Sequence, residues 1–144
     1  DWSSDVCSSD LTEDMGVKKD VASFVIPVGA TINMNGTAIL QGLATFFIAG
    51  ISGIELGMGQ YIQVIFLAVI TAIGTAAVPS AGIITLTIIL NQLGLPLEGI
   101  GLILAVDRIL DMLRTSVNVC GDAAVAVIVA ATEGELDKEK FNKL

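Results

Sequence analysis

The chain has 144 residues, of which 53% are hydrophobic and 15% charged, and its net charge is −8. A mean hydropathy of +0.81 is that of a membrane protein, since soluble domains carry about 25% charged residues. The acidic balance offers no basic patch to neutralise phosphates and excludes nucleic-acid binding, and the lack of histidine excludes histidine acid–base catalysis.

Residues 1–10, "DWSSDVCSSD", are polar, match nothing downstream in style and read as a non-native leader or fusion scar. Cys7 lies there and Cys120 lies in an apolar stretch, so neither a disulfide framework nor a zinc site is expected. Trp2 belongs to the same leader and carries no assignment.

The first apolar block, residues 21–51, exceeds the ~20 residues that span a bilayer. Its middle, "GATINMNGT", sets Gly and Asn where they disfavour helix. The expectation is a broken helix: one half to about Ile32, an unwound turn from Asn33 to Gly36, and a second half from Thr37.

The second block, residues 61–95, offers about thirteen apolar residues, the interruption "GTAAVPSAG", then about thirteen more. At ~1.5 Å per residue each half reaches ~20 Å, short of the ~30 Å hydrocarbon core. Two such halves predict a re-entrant hairpin, a geometry tolerated only where protein or water satisfies the backbone. Tyr61 suits an interfacial anchor at its outer start.

The third block, residues 97–131, predicts a long helix, tilted or broken near Gly121. The tail, residues 133–144, reads as a solvated cytoplasmic end. Lys18 and Lys19 precede the first block, Lys138, Lys140 and Lys143 follow the third, and the loop 52–60 has no Lys or Arg. The positive-inside rule then places both ends in the cytoplasm and that loop outside. The fold class is all-α membrane protein: a broken transmembrane helix, a re-entrant helical hairpin and a long, polar-striped transmembrane helix.

The third block carries Asp107, Arg108, Asp111, Arg114 and Asp122, although a charge at the bilayer centre costs at least ~2.5–3.5 kcal/mol. Asp107, Asp111, Arg114, Asn118 and Asp122 step by four, three, four and four and share one helix face. Arg108 lies off that face, and Ile109, Met112, Leu113 and Val119 are apolar. The plain structural reading is an ion pair between Asp111 and Arg114 holding helices together. The functional reading is a binding site, because interrupted helices aim their ends at ligands and ions within membranes. Arg114 suits a carboxylate and Asp111 an ammonium. Together they complement a zwitterion with an extra carboxylate, an acidic amino acid. Asp122 with Asn side chains offers hard oxygens to Na⁺. An ion-conducting subunit is the alternative of another class, although Arg114 would repel cations. No metal cluster or nucleophile motif supports an enzyme, and the glycines of "GISGIELGMG" fit an external loop.

"SFVIPVGATINMNGTAI", "AIGTAAVPSAG" and "VDRILDMLRTSVNVCGD" together resemble the C-terminal transport core of the glutamate/aspartate transporter family, the dicarboxylate/amino acid:cation symporters. The resemblance covers residues 13–132 and implies, for residues 11–132, the C-terminal part of a transport domain: seventh transmembrane segment, second re-entrant hairpin and eighth segment. It implies that Arg114 takes the substrate's side-chain carboxylate and Asp111 its amino group. Thr37, Thr115 and Asn118 complete the substrate shell, with Met34 beside it. The hairpin tip, Ala77, Val78, Pro79, Ser80, Ala81 and Gly82, gates the site, Val78 and Gly82 lying against the substrate.

The resemblance further implies one Na⁺ site from Asp122 and the backbone around Gly29, Asn33 and Asn118. A second would use the carbonyls of Thr31, Ala72, Ile73 and Thr75. Asn35 stands where the family's "NMDGT" carries an acid that helps to form a third site, which makes proton coupling or fewer sodium ions credible. Ala77 and Ser80 replace common glycines and stiffen the tip. Keeping both Asp111 and Arg114 favours acidic amino acids over neutral ones, with a C4-dicarboxylate symporter of the same family as the alternative. No cofactor is implied beyond Na⁺ or H⁺ as coupling ions; the implied partners are the substrate, the bilayer and two further copies in a homotrimer of the inner cell membrane. Six earlier segments and a serine-rich first hairpin are expected upstream of Leu11, so the stretch 11–144 is expected neither to transport nor to fold stably alone. Elevator-type motion is likewise implied by the family.

Overall fold

The computed structural model describes residues 10–12, 14–74 and 81–142. They form helices α1 (Lys19–Ile32), α2 (Asn35–Ile51), α3 (Met58–Ile73), α4 (Ala81–Leu93), α5 (Ile100–Glu133) and α6 (Lys138–Phe141), with a 3-10 turn at Leu97–Gly99. Among the described residues there is no strand, only a bridge between Val17 and Leu136. Two helical stretches, Lys19–Ile51 and Leu97–Glu133, are long and apolar enough to cross a membrane, while α3 and α4 are shorter. The chain divides into two compact units, Asp1–Asn33 with Val119–Leu144, and Met34–Asn118.

In the first unit, α1 buries Ala22, Val25 and Ile26, an i, i+3, i+4 stripe. They join Leu11, Val17, Ala126 and Ala130 in one apolar cluster. Alanines one turn apart let helix backbones approach closely, the usual device where lipid removes the hydrophobic drive between helices. At the polar end, Lys18 N–H donates to the Glu135 carbonyl at 3.2 Å and Asp137 N–H to that of Gly16 at 2.9 Å. Lys18 and Glu135 are ion-paired. Asp137 caps α6 by accepting from the amides of Glu139 and Lys140.

In the second unit, Ala44, Ile48 and Ala49 of α2 pack with Leu86 and Leu90 of α4, Leu95, and Ile103 of α5. Val64, Ala68 and Ala72 form the buried edge of α3. Its other faces expose Ile62, Ile65, Phe66, Val69 and Ile70, a pattern suited to lipid or further protein rather than water. Helices α2, α4 and α5 end alike: Gly53, Gly94 and Gly134 take φ near +70°. The next amide in each case reaches back to the carbonyls of Ala49, Leu90 and Ala130. This left-handed closure satisfies otherwise orphaned carbonyls and favours glycine.

Three expectations need correction. Non-helical backbone is confined to Asn33 and Met34 (φ/ψ −91°/68° and −98°/49°), and α2 starts at Asn35 rather than Thr37. The Met34 carbonyl already accepts from Ala38 N–H at 3.0 Å, which winds Asn35 and Gly36 into the first turn. Helix α5 runs unbroken through Gly121, because one interior glycine costs only about 1 kcal/mol. It begins at Ile100 after the 3-10 turn that follows Pro96, whose missing amide suits a helix start.

Candidate functional site

The candidate site residues fall in both units. In the second unit, the continuous helix α5 presents Asp107, Asp111, Arg114 and Asn118 along one face. Arg114 and Asp111 are ion-paired, with side chains 9% and 27% exposed. The guanidinium also lies against α4: a Cβ on Gly82 would strike Arg114 Nη1 and come within 3.3 Å of Cζ. Gly82 and Arg114 share the wall of a small cavity with Gln41 and Asp107.

The start of α2 is fixed onto α5 by Asn118. Its side-chain oxygen accepts from Gly36 N–H at 2.7 Å, one of the first-turn amides that a helix leaves without an internal partner. Its amide nitrogen lies 3.4 Å from both Met34 Sδ and Thr37 Oγ1. The Thr37 hydroxyl is buried and lies 3.6 Å from the same sulfur. Gly36 permits this approach, since a Cβ there would collide with the Arg114 carbonyl and sit 3.1 Å from its carbonyl carbon. Backbone cannot yield as a flexible side chain does. Gly36→Ala is therefore expected to destabilise the protein by about 1–3 kcal/mol, read as thermal unfolding in detergent. The control is Gly42→Ala, where an added methyl meets nothing within 4 Å.

In the first unit, Asp122 is 6% exposed. One of its carboxylate oxygens accepts from Asn33 Nδ2 at 2.9 Å. Gly29 lies directly beneath: a Cβ there would be 2.8 Å from the Asp122 carboxyl carbon. The interruption after Ile32 brings Asn33 to this carboxylate. A buried carboxylate with one neutral partner is unfavourable unless a cation or proton joins it. Among the described residues no cluster of three His, Cys, Asp or Glu exists, so any cation here would rely on Asp122 with amide and carbonyl oxygens, a donor set suited to hard cations.

Residues 6–132 match the Sodium:dicarboxylate symporter family. The chain belongs to that family. It is 50% identical over 119 residues to an excitatory amino acid transporter of Onchocerca volvulus, covering 83% of this chain and 24% of that protein. It is 46% identical over 128 residues to human excitatory amino acid transporter 2, covering 88% and 22%. Human excitatory amino acid transporter 1 is 50% identical over 119 residues, covering 83% and 22%. The chain thus spans about a quarter of the length of the curated relatives it matches.

Within this chain the structure joins Met34, Thr37, Asn118, Gly36, Asp111, Arg114 and Gly82 in one unit, and Gly29, Asn33 and Asp122 in the other. Thr115 is exposed and makes no side-chain hydrogen bond among the described residues; Asn35 is exposed at the start of α2. Ala72 is buried and Ile73 exposed at the end of α3, where helix carbonyls run out of partners. The Thr31 hydroxyl donates to the Pro27 carbonyl at 3.0 Å. Of the expected gate tip, Ala81 and Gly82 open α4, while Ala77, Val78, Pro79 and Ser80, like Thr75, lie outside the described residues. Sequence reasoning missed Gln41, although a lone amide in the apolar run "AILQGLATFF" was a signal for it.

Proposed function

We propose that the chain forms the C-terminal part of the mobile core of a secondary transporter that takes up acidic amino acids with Na⁺, H⁺ or both. The observation that carries this reading is the Arg114–Asp111 pair, opposite charges one helical turn apart, with the guanidinium against Gly82 of the hairpin arm. A substrate with one ammonium and an extra carboxylate replaces each charge of that pair with a partner of its own. The pair therefore compensates the site when empty and the ligand does so when bound. Thr37, Asn118 and Met34 complete the pocket beside α2, and Thr115 joins them only on the family's pattern. The relatives' name, excitatory amino acid transporter, supports an amino-acid substrate.

Asp122 with Asn33 and the backbone near Gly29 holds one Na⁺ in this reading. A second Na⁺ is assigned, on the family's pattern alone, to the carbonyls of Thr31, Ala72, Ile73 and Thr75, of which Thr75 lies outside the described residues. Asn35 is neutral where an acid serves a third Na⁺ in the family, which favours fewer sodium ions or a proton. Helices α3 and α4 form the re-entrant gate, and the hairpin and striped helix move together as an elevator within each subunit of an inner-membrane homotrimer with both ends of this stretch cytoplasmic.

The test is uptake of labelled L-aspartate by proteoliposomes holding the complete transporter, under an imposed Na⁺ gradient and then a proton gradient. Saturable uptake driven by either is expected. Ungated, non-saturating ion flux without amino acid uptake would replace this reading with the ion-conducting one.

A further inference from the structure

Helix α2 carries a buried side-chain amide that the site above leaves unused. Gln41 is 2% exposed and reaches both arms of the hairpin. Its amide nitrogen donates to Thr85 Oγ1 on α4, and its amide oxygen lies 2.8 Å from the donating hydroxyl of Thr71 on α3. Two helices that follow one another in sequence are thus joined through one buried amide on a third helix. Thr85 lies one turn from Gly82, and the Thr85 hydroxyl, having accepted from Gln41, is 3.0 Å from the Gly82 carbonyl. Gly82 is the residue that lies against Arg114. A line of contacts therefore runs from Gln41 through Thr85 and Gly82 to the guanidinium.

We infer that Gln41 is a positioning residue that ties both hairpin arms to α2 and so sets how closely the arm bearing Gly82 approaches the Arg114 site. An amide suits the task because it is donor and acceptor at once and carries no charge to be desolvated. The tie is also separable from folding. Thr71 retains the Leu67 carbonyl at 2.7 Å, and Thr85 retains the carbonyls of Ala81 and Gly82, when Gln41 is removed. Gln41→Leu thus leaves neither threonine without a partner, the circumstance in which loss of a buried hydrogen bond is least damaging.

The consequence for substrate rests on the transporter reading; the consequence for the hairpin does not. The experiment uses the complete transporter and measures amide hydrogen exchange across α3 and α4 without substrate, for wild type, Gln41→Leu, Thr71→Val/Thr85→Val, and all three changes combined. Losing two neutral hydrogen bonds corresponds to about a tenfold to hundredfold shift of an opening equilibrium. Exchange in the first turns of α4 is expected to rise by at least about tenfold in Gln41→Leu, while the triple variant adds nothing further, the non-additivity that marks residues acting through one contact. Thr45→Val, which removes a hydroxyl that among the described residues donates only to the Gln41 carbonyl, one turn along the same buried face, leaves the hairpin unchanged. For L-aspartate uptake, KM rises about tenfold in Gln41→Leu with kcat changed less. Unchanged exchange, equal loosening in Thr45→Val, or full additivity would overturn the inference. Altered exchange without any aspartate uptake in wild type would leave the tie standing and overturn the transporter reading instead.

Discussion

Replacement of Arg114 by alanine is expected to lower kcat/KM for acidic amino acid uptake at least about a hundredfold, with membrane insertion intact. Hydrogen bonds to charged groups contribute about 1.5–3 kcal/mol each, and a guanidinium presents two in parallel to one carboxylate. The variant also strands Asp111, which loses its ion-pair partner and leaves an uncompensated negative charge that would repel an acidic substrate. Arg114→Lys should recover little, because a single ammonium cannot fork across both carboxylate oxygens and is more strongly hydrated. Uptake within threefold of wild type in Arg114→Ala would show that the carboxylate binds elsewhere.

The second large effect is expected at Gly29, which lies beneath the Asp122 carboxylate. A methyl group there would sit 2.8 Å from the Asp122 carboxyl carbon and 3.4 Å from its Cβ, so the aspartate must leave Asn33 or α1 must move. If Asp122 holds Na⁺, Gly29→Ala raises the Na⁺ concentration for half-maximal aspartate uptake at least about tenfold, together with overpacking of about 1–3 kcal/mol. Asp122→Asn supplies the companion result: it removes the charge without the collision, so Na⁺ dependence shifts while the packing of α1 is kept. Equal Na⁺ dependence in wild type and both variants would remove Asp122 from the coupling site.

The helices were legible in the sequence because their signals are local. Apolar blocks set the five longer helices but not the short α6 in the polar tail, and "NMNG" marked the interruption. The start of α2 was misplaced by two residues because composition cannot show that the Met34 carbonyl captures Ala38. Of the two alternatives at Gly121, tilt or break, the break does not occur, because the hydrogen bonds on either side carry the helix through.

The charged members of the site were legible because charge in an apolar helix demands compensation. Of the glycines that shape it, Gly29 and Gly82 came only from the family resemblance and Gly36 only as part of the interrupted turn, with no sign of which residue each lies against. Gly29, Gly36 and Gly82 matter through what an added methyl would strike, namely Asp122, the Arg114 carbonyl and the Arg114 guanidinium, and each contact joins segments at least 32 residues apart in sequence. Gln41 was overlooked for a similar reason, since its partners Thr71 and Thr85 lie 30 and 44 residues away.

The central claim is that Arg114 and Asp111 grip opposite charges of one substrate. The most direct measurement is the ratio of succinate to L-aspartate inhibition constants for labelled aspartate uptake, in the complete wild-type transporter and in Asp111→Asn. Wild type should favour aspartate. Asp111→Asn frees Arg114 from its ion pair and removes the ammonium partner, so the ratio should swing toward succinate by at least about tenfold, the value of one charge-assisted contact. An unchanged ratio would contradict the account, because Asp111 would then distinguish neither substrate.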